Sequence, residues 1–113
     1  MATQVKDSMM KSLSTNALNL MYARFSIRIH SEDRLEVYRK LMALIKNRFS
    51  LMDALERLYS IASKDGKKPD DSMAIATAKW MQSVRNGATF SEALKGWVPS
   101  TEILMLSVVM PNP

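Results

Sequence analysis

The sequence predicts an all-α fold, a compact bundle of about five to six helices built from two helix-turn-helix pairs. Three observations lead there. Apolar residues recur at three- and four-residue intervals along most of the chain. Three glycines and four prolines are too few for the dense turns of an all-β domain. Ten methionines, with abundant Leu and Ala, favour helix over strand. At 113 residues and 47% hydrophobic, the chain can bury one modest core.

Residues 1–30 read as an N-terminal arm or docking helix. Leu13, Ala17, Leu20 and Met21 are spaced as one helical stripe, whereas Ser12, Ser14, Thr15 and Asn16 permit a disordered arm. Phe25–His30 ("FSIRIH") alternates like a strand without a partner and is expected to be an extended lead-in. The first strongly signalled helix then follows. Ser31 is its expected N-cap, Glu32 and Asp33 suit the positive end of the dipole, and Leu35, Tyr38, Leu41, Met42 and Ile45 form the expected core stripe.

Ser50 should cap a second helix with Leu51, Ala54, Leu55, Leu58 and Ile61 or Ala62 inward. Gly66 and Pro69 break the chain within Ser63–Asp71, and Asp70 or Asp71 should cap a third helix. That helix carries Met73, Ile75, Ala76, Trp80, Met81 and Val84 as its apolar face. Gly87 stands where a left-handed residue ends a helix, and a short fourth helix follows with Phe90, Ala93, Leu94 and Trp97. Pro99 and Ser100 open a last helix, Thr101–Met110.

Two segments echo each other at a 39-residue offset: "NRFSLMDAL" from Asn47 and "NGATFSEAL" from Asn86. Ser50-x-x-Asp53 and Thr89-x-x-Glu92 are capping boxes, and each starts the second helix of a pair. Each cap stabilises its helix by about 1 kcal/mol.

Composition limits the chemistry. With no Cys there are no disulfides and no thiolate metal sites. The single histidine, His30, has no clustered partner and reads as structural or surface-exposed. No metal-ligand spacing, calcium loop or phosphate-cradling glycine loop occurs, so no catalytic, metal or cofactor residues are expected. Asp70 and Asp71 could touch a surface cation, although capping is the commoner role. No apolar run is long enough to span a bilayer.

The net charge of +5 is concentrated in the first two-thirds; residues 69–113 carry three bases against four acids. Lys64, Lys67 and Lys68 are candidate contacts for anionic headgroups or acidic partners. A small basic helical DNA-binding module is the alternative reading. Nucleic acid is disfavoured because Asp53, Glu56 and Glu92 lie on the helices that would face phosphates.

The segments "VYRKLMALIKNRFSLMDALERL" (Val37–Leu58) and "MQSVRNGATFSEALKGWVPSTEILMLSV" (Met81–Val108) resemble the GspF/PilC family, inner-membrane platform proteins of type II secretion and type IV pilus systems. Tyr38, Leu41, Leu44 and Ile45 match its first helix, and Leu51, Asp53, Ala54 and Leu55 its second. Val84, Gly87, Thr89, Ser91, Glu92, Ala93 and Leu94 match its third element, and Pro99 falls where the family has proline. Departures are Arg48 where glycine is usual, Ser50 where proline is frequent, and no Gly-Glu-x-x-Gly stretch.

The resemblance implies a cytoplasmic helical domain over residues 31–110, with 111–113 a truncated end before a transmembrane span. It also implies a non-enzymatic adaptor at the bacterial inner membrane, facing the cytoplasm. Its implied partners are a hexameric assembly ATPase and cytoplasmic scaffold domains, with the full-length protein in the membrane. The divergent first turn suggests the type IVb pilus branch. The methionine and tryptophan content adds the expectation of a homodimer.

Overall fold

A computed structural model describes residues 17–109, and all of the secondary structure it shows there is helical. The helices are α1 (residues 17–29), α2 (Ser31–Lys46), α3 (Leu51–Ala62), α4 (Ser72–Arg85), α5 (Phe90–Leu94) and α6 (Ser100–Val109). The expectations for residues 1–16 and 110–113 lie outside the described residues.

Three helix starts have a local cause. Ser50 Oγ accepts from Asp53 N at 3.1 Å, and Thr89 Oγ1 from Glu92 N at 3.1 Å. Asp71 Oδ2 accepts from both Met73 N (3.0 Å) and Ala74 N (3.1 Å), so Asp71 is the cap of α4. The two echo segments therefore form the hydroxyl half of a capping box. The return bonds expected from the Asp53 and Glu92 carboxylates are not made; both residues are exposed to water.

The echo extends to the turns themselves. Asn47 and Asn86 close α2 and α4 with φ near −87° and −86°. Arg48 (φ 70°) and Gly87 (φ 99°) then enter the left-handed region. Phe49 N donates to Leu44 O and Ala88 N to Ser83 O, both at 3.0 Å, the six-to-one bond of a Schellman turn. Ser50 and Thr89 return to extended backbone, each with ψ 161°. One turn geometry is used twice at the sequence repeat.

Only the first copy holds a side chain in the left-handed position. That costs about 1–2 kcal/mol at Arg48, partly offset by the ~0.5–1 kcal/mol of extra chain entropy that glycine loses on folding. Arg48→Gly is thus expected to raise the thermal midpoint by roughly 2–6 °C. A calorimetric scan showing an unchanged or lowered midpoint contradicts this.

The core is one cluster drawn from every helix. Trp80 at its centre meets Phe90 and Trp97 edge-on, with ring centroids 5.9 and 6.2 Å apart. Leu41, Ala54, Leu55 and Leu94 are fully buried around it. α3 packs extensively on α4, α2 on α3, and α5 on both α4 and α6. Alanines at 54, 74, 76 and 93 in the buried faces leave room for helices to approach closely.

Three expectations need correction. Phe25–His30 is not an extended lead-in: residues 25–29 are the last turns of α1, whose Leu20, Ala23 and Ile27 pack on the core. A three-to-four-residue stripe through Leu20, Ala23 and Ile27 overrides the short alternation. Ser31 is not the N-cap of α2, because α1 runs almost directly into α2. His30 takes that position without a side-chain cap, its Nδ1–H donating backwards to Ser26 O at 2.7 Å. The core face of α2 is Arg34, Val37, Tyr38 and Leu41, whereas Leu35 and Met42 face water.

Candidate functional site

The one buried charged cluster among the described residues ties three helices together. Arg34, on the inward face of α2, forms a two-pronged bond to Glu102 on α6: Nε to Oε1 at 2.9 Å and Nη2 to Oε2 at 2.7 Å. Its remaining amino group, Nη1, donates to the carbonyls of Ile27 (2.8 Å) and Arg28 (2.6 Å), near the C-terminal end of α1. Tyr38, one turn further along α2, donates its hydroxyl to Glu102 Oε1 at 2.9 Å. The arginine therefore caps α1 and clamps it to α2 and α6.

Hydrogen bonds from Arg34 and Tyr38 hold the Glu102 carboxyl below its ordinary value against the opposing effect of burial. The Glu102 bond raises the Arg34 guanidinium, and burial raises the Tyr38 phenol. The cluster is thus carboxylate, guanidinium and neutral phenol at physiological pH. A carboxylate lowered on folding stabilises the fold fully above its unfolded value near 4.5 and loses that contribution as pH falls through the folded value. Urea titrations should show stability falling below pH 4.5 in the native chain and a shallower fall in Glu102→Gln. Parallel curves would contradict the assignment.

The family-motif residues fall mainly in the core and its turns. Tyr38, Leu41, Leu51, Ala54, Leu55, Ala93 and Leu94 are buried. Asp53, Thr89 and Glu92 are exposed at helix starts, Gly87 is the left-handed turn residue, and Pro99 immediately precedes α6. Lys64, Lys67 and Lys68 are exposed together in the α3–α4 loop. There Lys64 (φ 52°) and Asp65 (φ 57°) join Gly66 in left-handed backbone, and Ser63 Oγ accepts from Gly66 N at 3.0 Å. Asp71 is committed to its cap. Among the described residues no group of three or more His, Asp or Glu is arranged to hold a metal ion, and no helix is long and apolar enough to cross a membrane.

A groove of about 390 Å³ opens between α2, α3 and the start of α4. Val37, Leu58, Ile61 and Met73 contribute to its apolar lining, and Glu36 pairs with Lys40 at 3.4 Å on its wall. More prominent are two exposed apolar faces. α1 presents Leu18, Met21, Tyr22, Phe25 and Ile29 to water, and α6 presents Leu104, Met105 and Val108.

Sequence reasoning missed Arg34 and Glu102. Arg34 lies one turn before Tyr38, and that spacing on a core-facing stripe was the available signal. The partner 68 residues away is set by tertiary packing alone. No family model, curated protein or solved structure matches the chain.

Proposed function

We propose that this chain is the cytoplasmic domain of an inner-membrane platform protein for type IV pilus biogenesis or type II secretion. In this reading it is a non-enzymatic adaptor that couples a hexameric assembly ATPase, and neighbouring cytoplasmic scaffold domains, to pilin assembly. The observation that carries the reading is the tandem pair of helix hairpins. The same turn geometry recurs in each copy, and the Ala-Leu pairs that carry the resemblance, Ala54–Leu55 and Ala93–Leu94, are buried in both.

Mechanical coupling needs a body that moves as a unit, and the Arg34–Tyr38–Glu102 clamp supports that by fixing α1 and α6 to α2. It also needs faces for partners, and the apolar face of α6 together with the lysine-bearing loop provides them. The lysines would meet acidic partner surfaces or anionic headgroups.

A salt-titrated gel shift separates this reading from the DNA-binding alternative. The adaptor reading expects no tight duplex binding at physiological salt. Tight binding that weakens steeply with salt overturns it. The coding sequence downstream of Pro113 is expected to encode a hydrophobic span and a second related helical domain, and a stop codon directly after Pro113 would count against the reading.

A further inference from the structure

We infer that the outer face of α1 is a self-association surface, pairing antiparallel with α1 of a second copy of this chain. Leu18, Met21, Tyr22, Phe25 and Ile29 are each between 56% and 69% exposed. At 100° per residue they fall within an arc of about 100°. The docked residues Leu20, Ala23 and Ile27 fill the opposite side. The helix therefore carries two apolar faces, and the described residues of its own bundle cover only one. Tryptophan, which composition suggested as shared surface, is not part of it: Trp80 and Trp97 are both buried.

The pattern of the stripe selects its occupant. The midpoint between Leu18 and Ile29 falls between Tyr22 and Phe25. A two-fold axis there sets Leu18 against Ile29 and Tyr22 against Phe25, with aromatics at the centre and aliphatics at the rim. Charge favours the same orientation. α1 carries Arg24 and Arg28 and no acid, and Arg24 lies over the Trp97 ring at 5.2 Å. Antiparallel pairing places Arg28 opposite Asn19, whereas parallel pairing would stack Arg28 on its own copy.

Area is consistent with a dimer of modest affinity. Five such side chains present on the order of 500 Å² per copy, and two copies reach about 1,000 Å², the lower edge for a specific interface. With Arg24 engaged, Arg28 is the one α1 cation bordering the stripe, a weak handle for an anionic bilayer.

The test uses the whole chain in sedimentation equilibrium over increasing concentration. A monomer–dimer equilibrium with a dissociation constant on the order of 10 µM is expected. Phe25→Asp should weaken it at least tenfold while leaving the circular-dichroism melt of the dilute protein in place. The native chain has no cysteine, so crosslinking reads the register directly. Oxidising a mixture of Leu18→Cys and Ile29→Cys chains should give the mixed dimer, while Leu18→Cys alone should stay uncrosslinked. A strict monomer at high concentration overturns the inference, as does a dimer indifferent to Phe25→Asp. Self-crosslinking of Leu18→Cys in excess of the mixed product, or binding to phosphatidylglycerol vesicles by a chain that never dimerises, does so equally.

Discussion

Replacing Arg34 with alanine should destabilise the fold by about 3–5 kcal/mol, the cost of removing one partner from a buried ion pair. The change leaves the Glu102 carboxylate, 21% exposed, without its charged partner, and strips two α1 carbonyls of their donor. For a domain of this size the thermal midpoint should drop by at least about 12 °C. Glu102→Gln should cost less, because an amide oxygen still accepts from Arg34 and Tyr38. The double change Arg34→Met with Glu102→Leu should recover most of the loss, since buried ion pairs are commonly neutral relative to well-packed apolar replacements. Urea unfolding of the three variants measures this. An Arg34→Ala loss under about 1 kcal/mol would show that the cluster does not hold α1 and α6 in place.

Trp80→Ala should be comparably severe, at about 3–5 kcal/mol. Trp80 is 1% exposed and contacts Phe90 and Trp97 at the junction of α4, α5 and the turn into α6. Its indole N–H is buried without a hydrogen-bond partner, which makes Trp80→Phe the informative companion. Phenylalanine keeps an aromatic contact and removes the unpartnered donor, so its cost should stay below about 1.5 kcal/mol. Trp97 remains as a fluorescent reporter in both variants. If the two substitutions destabilise equally, the indole N–H has a partner the geometry does not show.

Most of the architecture is legible in the sequence because it is local. Ser50, Asp71, Thr89 and Gly87 each act within a few residues of themselves, so caps and turns can be read one at a time. The inward faces of α3 and α5 follow from helical spacing for the same reason. Errors arise where a neighbour outside the window decides. α2 is rotated from its apparent stripe because Arg34 turns inward to Glu102, so an apparent surface residue is buried and Leu35 is not. Phe25–Ile29 is helical because Ile27 completes a face begun at Leu20, which alternation over six residues does not reveal. The candidate surfaces were partly legible: the lysines of the α3–α4 loop are exposed as expected. The α1 stripe emerges only once its docked face is known.

Arg48 links local conformation to the repeat. An arginine in the left-handed region, where the second copy has glycine, shows that the hairpin geometry is imposed by the surrounding helices even where the residue resists it.

The proposed role as a partner-binding adaptor is measured most directly through contact with the assembly ATPase. In a biolayer interferometry titration against the cognate assembly ATPase, the domain is expected to bind saturably. Arg34→Ala should lower the signal in proportion to the folded fraction. Absence of binding by both the domain and the full-length protein in detergent would contradict the account.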